Sequence, residues 1–131
     1  MPYFTHLLDQ TIANTNFRTV LFTGMKSQLV LMNIPPGGEI GEETHAHVEQ
    51  TLFFVSGKGE AILDGQAQAL SAGDVVVVTP GVRHNFRNIG NEPLKLYTVY
   101  APPNHIDGRV HATKTDADAD AEDEAFGEAN A

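Results

Sequence analysis

Cysteine is absent from the 131 residues, and its absence excludes disulfide frameworks, thiolate zinc sites and cysteine nucleophiles together. Any bound metal must therefore rest on nitrogen and oxygen donors. Long apolar runs are missing too: hydrophobic residues make up 41% of the chain, yet no segment approaches the roughly 18 consecutive apolar residues of a membrane span. The opening MPYFTHLLDQ has neither a basic n-region nor a continuous apolar h-region, so the expected location is cytoplasmic. A basic stripe is the third absence. The net charge is -9, and the segment from Thr115 to Ala131 carries seven acids and no base, which leaves -2 for the first 114 residues. Without clustered lysine and arginine, neither nucleic acid nor an anionic membrane surface is an expected partner.

What is present is a β rhythm on the scale of one domain. Glycine and proline punctuate the chain about every 8 to 12 residues, and the intervals are rich in Val, Leu, Ile, Phe and Thr. This pattern predicts strands at Phe17 to Thr23, Gln28 to Ile34, Thr51 to Ser56, Gly59 to Leu63, Gln66 to Leu70, Val75 to Thr79, His84 to Asn88 and Leu94 to Tyr100. Asp64-Gly65 predicts a type I′ hairpin, since both residues reach positive φ at low cost. The unbroken run Val75-Val76-Val77-Val78 predicts a strand covered on both faces. The domain is expected to occupy residues 1–114, with an N-terminal arm from Pro2 to Ile12 and a C-terminal strap. Residues 115–131 form an acidic tail that reads as a frayed helix or a disordered solvating segment, with Thr113 or Thr115 as caps over Asp116 or Asp118.

Two segments concentrate the chemistry. The first is Thr44-His45-Ala46-His47-Val48-Glu49-Gln50, running into a predicted strand. Residues i and i+2 of an extended chain project from one face, so His45 and His47 can share an ion. The second is Gly73-Asp74, the valine run, Pro80-Gly81-Val82-Arg83-His84 and Asn88, which offers His84 as a third imidazole just after a turn.

Together these segments resemble the two motifs of the cupin superfamily, in which a glycine, HxH, a Glu or Gln and a glycine are followed by GD…PxGxxH…N. Gly38 or Gly41, His45, His47, Gln50 and Gly57 resemble the first; Gly73, Asp74, Pro80, His84 and Asn88 resemble the second. The resemblance implies an all-β double-stranded β-helix, a jelly-roll-like barrel holding one divalent metal ion in its wider end, and commonly a homodimer. Its implied ligands are His45, His47, Gln50 and His84. Glu49 stands beside the Gln50 position and competes for the fourth place, because only two residues separate His47 from Gln50. The stretch Tyr97 to Lys114 further resembles a YTxYxPPxHxxGxVHxTK-like segment found in small single-domain cupins of the mannose-6-phosphate-isomerase-like group.

Nitrogen and amide donors suit Zn, Ni, Fe, Mn or Cu without selecting among them. The expected function is metal-dependent chemistry on a small oxygenated molecule, either isomerisation of a sugar-phosphate-like substrate or dioxygenase chemistry. Glu49, His105 and His111 are the candidate proton carriers, and Phe53, Val55, Val75, Val77 and Phe86 a candidate apolar lining. The alternative is a non-catalytic module that binds a metal or metabolite.

Overall fold

The computed structural model describes residues 1–130. Nine strands form in order: β1 (Arg18–Thr23), β2 (Gln28–Ile34), β3 (Glu49–Ser56), β4 (Lys58–Leu63), β5 (Gln66–Ser71), β6 (Val75–Val78), β7 (His84–Asn88), β8 (Leu94–Ala101) and β9 (Val110–His111). Helix α1 (Leu7–Ala13) precedes them, and α2 (Lys114–Asp118) and α3 (Ala121–Asn130) follow. The eight predicted strands are all present, with ends displaced by two residues at most; α1 and β9 carried no signal in the strand pattern. No helix among the described residues is long and apolar enough to cross a membrane.

The strands build two sheets, of order β6-β3-β8-β2-β1-β9 and β5-β4-β7, with every pairing antiparallel. Pairs such as β2 with β8 and β3 with β8 join segments far apart in sequence, as a jelly-roll requires. Alternation then sorts the side chains. On β3, Gln50, Leu52 and Phe54 are buried while Thr51, Phe53 and Val55 are partly exposed. The inward set, including Met32, Ile34, Leu52, Leu94, Leu96 and Phe86, makes one continuous core. Burying each such side chain contributes about 1.5–3 kcal/mol.

The predicted hairpin forms, with Asp64 at φ 49° and Gly65 at φ 82°. The valine run departs from expectation. Strand β6 is the outermost strand of its sheet, so Val76 and Val78 face inward while Val75 and Val77 remain 52% exposed. Continuous apolarity does not mean two covered faces here, because among the described residues none covers the outer face of this strand enough to bury Val75 and Val77. Phe53 shares that face and stacks on Tyr97 with ring centroids 4.8 Å apart. Of the candidate apolar lining, only Phe86 is buried inside the barrel.

The acidic segment is helical and docked. Thr113 caps α2 by accepting from the Asp116 amide at 3.1 Å. Asp120 and Asp123 meet His111 and His105, and Glu122 meets Arg109. Three of the tail's acids thus pair with bases of the strap, and two of them, Asp120 and Asp123, are withdrawn from solvent.

Gly57, between β3 and β4, takes φ 97°, and a Cβ built on it would lie 2.6 Å from the Pro93 carbonyl oxygen. Backbone on both sides leaves no room to relax. Gly57→Ala is expected to cost about 2 kcal/mol or more, measured by denaturant unfolding; a loss below about 0.5 kcal/mol, the range of neutral surface changes, would contradict this account.

Candidate functional site

The site begins with a backbone clamp. The loop from Gly38 to His45 runs antiparallel along β7, and Glu43 and His84 exchange both backbone hydrogen bonds at 2.9 Å. The Gly81 amide donates to the His45 carbonyl at 2.7 Å. Glu43 is thereby fixed opposite His84, and His45, two residues on, projects on the same side as Glu43. One carboxylate and two imidazoles converge: the ligating atoms of Glu43, His45 and His84 all lie within 4.8 Å of one another. His45 Nε2 stands 2.9 Å from Glu43 Oε2, and the His45 and His84 rings are 5.4 Å apart.

Their protonation follows from these surroundings. Burial pushes the Glu43 carboxyl up, but contact with His45 and the positive charges of Arg18 and the imidazoles together outweigh it and hold the group below its ordinary value. Burial is also the main influence on His84 and keeps it neutral, below its ordinary 6.5. His84 Nδ1 donates to the Val82 carbonyl at 2.9 Å. That bond fixes the ring and leaves Nε2 as the lone-pair nitrogen, the arrangement that orients metal-ligating histidines.

The other sequence-predicted residues fall elsewhere. His47 and Glu49 are exposed and stand outside the group. The cause is a bend at Ala46-His47: from Gly41 to His45 the odd-numbered residues are the more buried, and from Val48 onward the even-numbered ones are. Spacing of two across that bend does not preserve the face. Gln50 lies beyond it, 3% exposed, facing inward and donating to Thr98 Oγ1 at 3.2 Å. Glu43 was missed, although Glu43-Thr44-His45 has the same i, i+2 spacing as His45-Ala46-His47.

A cavity of about 260 Å³ adjoins this group. Phe17, Arg18, Ile40, Glu43 and His45 line its barrel side, Asn104 and His105 one wall, and α2 with α3 its roof. The Gln28 carboxamide sets that wall: its oxygen accepts from the Asn104 and His105 amides at 3.1 and 3.0 Å, and its nitrogen donates to the His105 carbonyl at 2.8 Å. His105 Nδ1 donates to Asp123 Oδ2 at 2.8 Å, while Asp123 Oδ1 accepts from the Ile106 amide at 2.7 Å. Its Nε2 is buried without a partner. His111 differs, for both its nitrogens are engaged: Nδ1 with Arg18 Nη1 at 3.4 Å and Nε2 with Asp120 at 2.8 Å. It is a strut between barrel and tail.

Comparison with known proteins agrees with this architecture. Residues 30–100 match the Cupin domain family. Protein YrkC of Bacillus subtilis (strain 168) is 41% identical over 122 residues, 88% of this chain; the chain spans 66% of that protein's length. The crystal structure of BH2720 from Bacillus halodurans is 38% identical and superposes with a TM-score of 0.89, covering 91% of this chain and 95% of that one. A Klebsiella pneumoniae protein with a double-stranded β-helix domain is 27% identical, with a TM-score of 0.66 over 86% of this chain and 99% of that one.

The docked tail makes stability depend on pH. Burial lowers His105 below its ordinary 6.5, against the opposing pull of Asp123 and Glu43 and with help from Arg18. In the window between 6.5 and the lower folded value, the unfolded chain binds more protons. Stability is therefore fully present above that window and falls as pH falls through it; His84 acts with the same sign. Thermal unfolding followed by circular dichroism should show Tm falling below pH 6.5, and His105→Gln should flatten the slope. An unchanged slope in the variant would remove His105 from this account. The paired motifs, the strand order, the family match over residues 30–100 and the likeness to BH2720 agree: the chain belongs to the cupin family.

Proposed function

We propose that this cupin is a metal-dependent enzyme acting on a small oxygenated molecule, with one divalent transition ion held by Glu43, His45 and His84 and completed by Gln50. The observation that carries this reading is the convergence of the Glu43, His45 and His84 ligating atoms within 4.8 Å beside a cavity of about 260 Å³. The donor set fits an ion. His45 Nε2 is buried with the Glu43 carboxylate oxygen 2.9 Å away as its one neighbour, a placement that a shared cation suits. Mixed imidazole and carboxylate donors suit Zn, Ni, Fe, Mn and Cu. When bound, the ion would supply Lewis-acid polarisation of a substrate oxygen, or redox chemistry if it is iron or copper.

The chain's own residues do the remaining work. Val82 aims His84, and the clamp between Glu43 and His84 sets their separation. The roof of α2 and α3 limits the access of water to the cavity. His105 is the proton acceptor best placed for an isomerisation, because its unpartnered Nε2 belongs to a residue lining the cavity and Asp123 holds the ring in the tautomer that leaves Nε2 basic. Glu49, exposed on β3, and His111, engaged at both nitrogens, are not needed for this step.

Protein purified without affinity metals is expected to carry about one ion per chain by elemental analysis. His84→Ala should lower metal affinity by at least about tenfold with the fold retained, while His47→Ala leaves affinity unchanged. A chain that purifies empty and takes up none of Zn, Ni, Mn or Fe would overturn the reading. Equal losses in the two variants would return His47 to the ligand set. Saturable binding of candidate substrates without any product, under air and under nitrogen, would favour the non-catalytic module.

We also infer a homodimer, supported by the uncovered apolar face at edge strand β6, where Val75 and Val77 are half exposed beside the Phe53 and Tyr97 stack. Such an edge invites pairing with another copy. Light scattering that returns a monomer mass at high micromolar concentration would overturn this.

A further inference from the structure

Arg18, at the start of β1, is 6% exposed. Its guanidinium meets His111 through Nη1 and lies over the Phe17 ring at 5.3 Å. Among the described residues no carboxylate forms an ion pair with it. Glu43 and Asp123 lie close enough to feel its charge but neither reaches it, and a buried guanidinium whose hydrogens are not all taken up is stabilised when an acceptor comes to it. The Nε hydrogen has no acceptor at all.

Three buried side-chain polar atoms lack partners among the described residues, Arg18 Nε, Asn104 Oδ1 and His105 Nε2, and a fourth, His45 Nε2, has only the Glu43 carboxylate beside it. All four residues line the one cavity under α2 and α3. Unpaired groups scattered through a core would signal packing faults; grouped around a single cavity they describe the complement of a ligand. His45 is accounted for by the metal reading. The other three have definite chemistry. Arg18 offers a charged donor. His105, whose Nδ1 already donates to Asp123, offers an acceptor at Nε2, and Asn104 Oδ1 offers a second acceptor. The complement is therefore an oxyanion with a hydroxyl group beside it.

The charge of that oxyanion is bounded. Arg18 supplies a single positive charge, while Glu43 and Asp123 on the inner side and the exposed Asp118, Glu124 and Glu128 at the rim also line the cavity. A monoanion paired directly with the guanidinium adds the least negative charge an oxyanion can; a phosphate dianion would add a second against these carboxylates. We propose that Arg18, Asn104 and His105 form a subsite for a small hydroxycarboxylate, its carboxylate on the Arg18 guanidinium and its hydroxyl donating to His105 Nε2 or Asn104 Oδ1. The subsite rests on the preceding reading only in that the far side of the ligand faces the Glu43, His45 and His84 group.

The test is calorimetric titration of the full chain, metal-loaded and metal-free, with glycolate, lactate and mandelate, and with acetate, glycerol and inorganic phosphate as controls. Saturable binding of at least one hydroxy acid, tighter than acetate and with glycerol and phosphate silent, is expected in both metal states. Arg18→Met should weaken it by at least about tenfold, as loss of a charge-assisted hydrogen bond does. Should that variant fail to fold, the Arg18 Nε–H resonance of the wild type provides the second readout and should shift with added hydroxy acid. Binding of none of the three acids, tighter binding of phosphate, or full affinity in folded Arg18→Met would overturn the proposal. Metal uptake on the same samples separates the two readings. Carboxylate binding by a chain that takes no metal defeats the metal site alone, and metal uptake with no carboxylate binding defeats the subsite alone.

Discussion

A guanidinium shut away from water has to be answered by the atoms around it, and much of the barrel mouth is organised by that demand. Arg18 opens β1 and leans on Phe17 and His111. His111, accepting through Nδ1, must carry its proton on Nε2, and there it meets Asp120. One residue's charge thus fixes another's tautomer, and that tautomer selects an acid from the tail. The second tether, Asp123 to His105, repeats the arrangement one turn further on. Strap and tail are held by directed hydrogen bonds between unlike groups, so their placement is specific even though little apolar surface is buried there.

The candidate metal group is positioned by a different means. Its side chains need no partners to find one another, because the backbone brings them together: a loop pairs with β7 for a few residues, and Glu43 lands opposite His84. The demand on the sequence is modest. It must keep the loop extended as far as His45 and then let it bend so that β3 can enter the large sheet with Gln50 inward. Gly81, donating to the His45 carbonyl, ties the turn before β7 to the point where the bend begins.

The strands were legible in the chain because a half-buried strand writes its faces into alternate residues and its ends into glycine and proline. His45 and His84 were legible as a pair for the same reason. What failed was parity carried through a bend: His47 keeps the spacing of a ligand but lies past the point where the faces exchange. Glu43 went unread because the histidines, the rarer residues, drew the spacing argument to themselves. The valine run misled because apolarity records a residue's preference and not whether a neighbour arrives to cover it; on β6 none does within the chain. The tail misled in the opposite sense. Its acids look like solubilising charge until the imidazoles that receive them are placed in space, and that placement depends on β9 pairing with β1, a contact between residues about ninety positions apart.

The roof over the cavity is a continuous stretch of chain, and no strand of either sheet passes through it. Lifting α3 together with Asp120, which precedes it, would break the tethers at His105, His111 and Arg109 yet leave every ladder of the barrel intact. Opening of that stretch is therefore a local event, with a free energy well below that of the whole domain, and it widens whatever access the cavity already has. The time a guest stays then depends on how often those few contacts open together. Residence time and affinity become separable quantities: residues that never touch the guest set the first, and the walls of the cavity set the second.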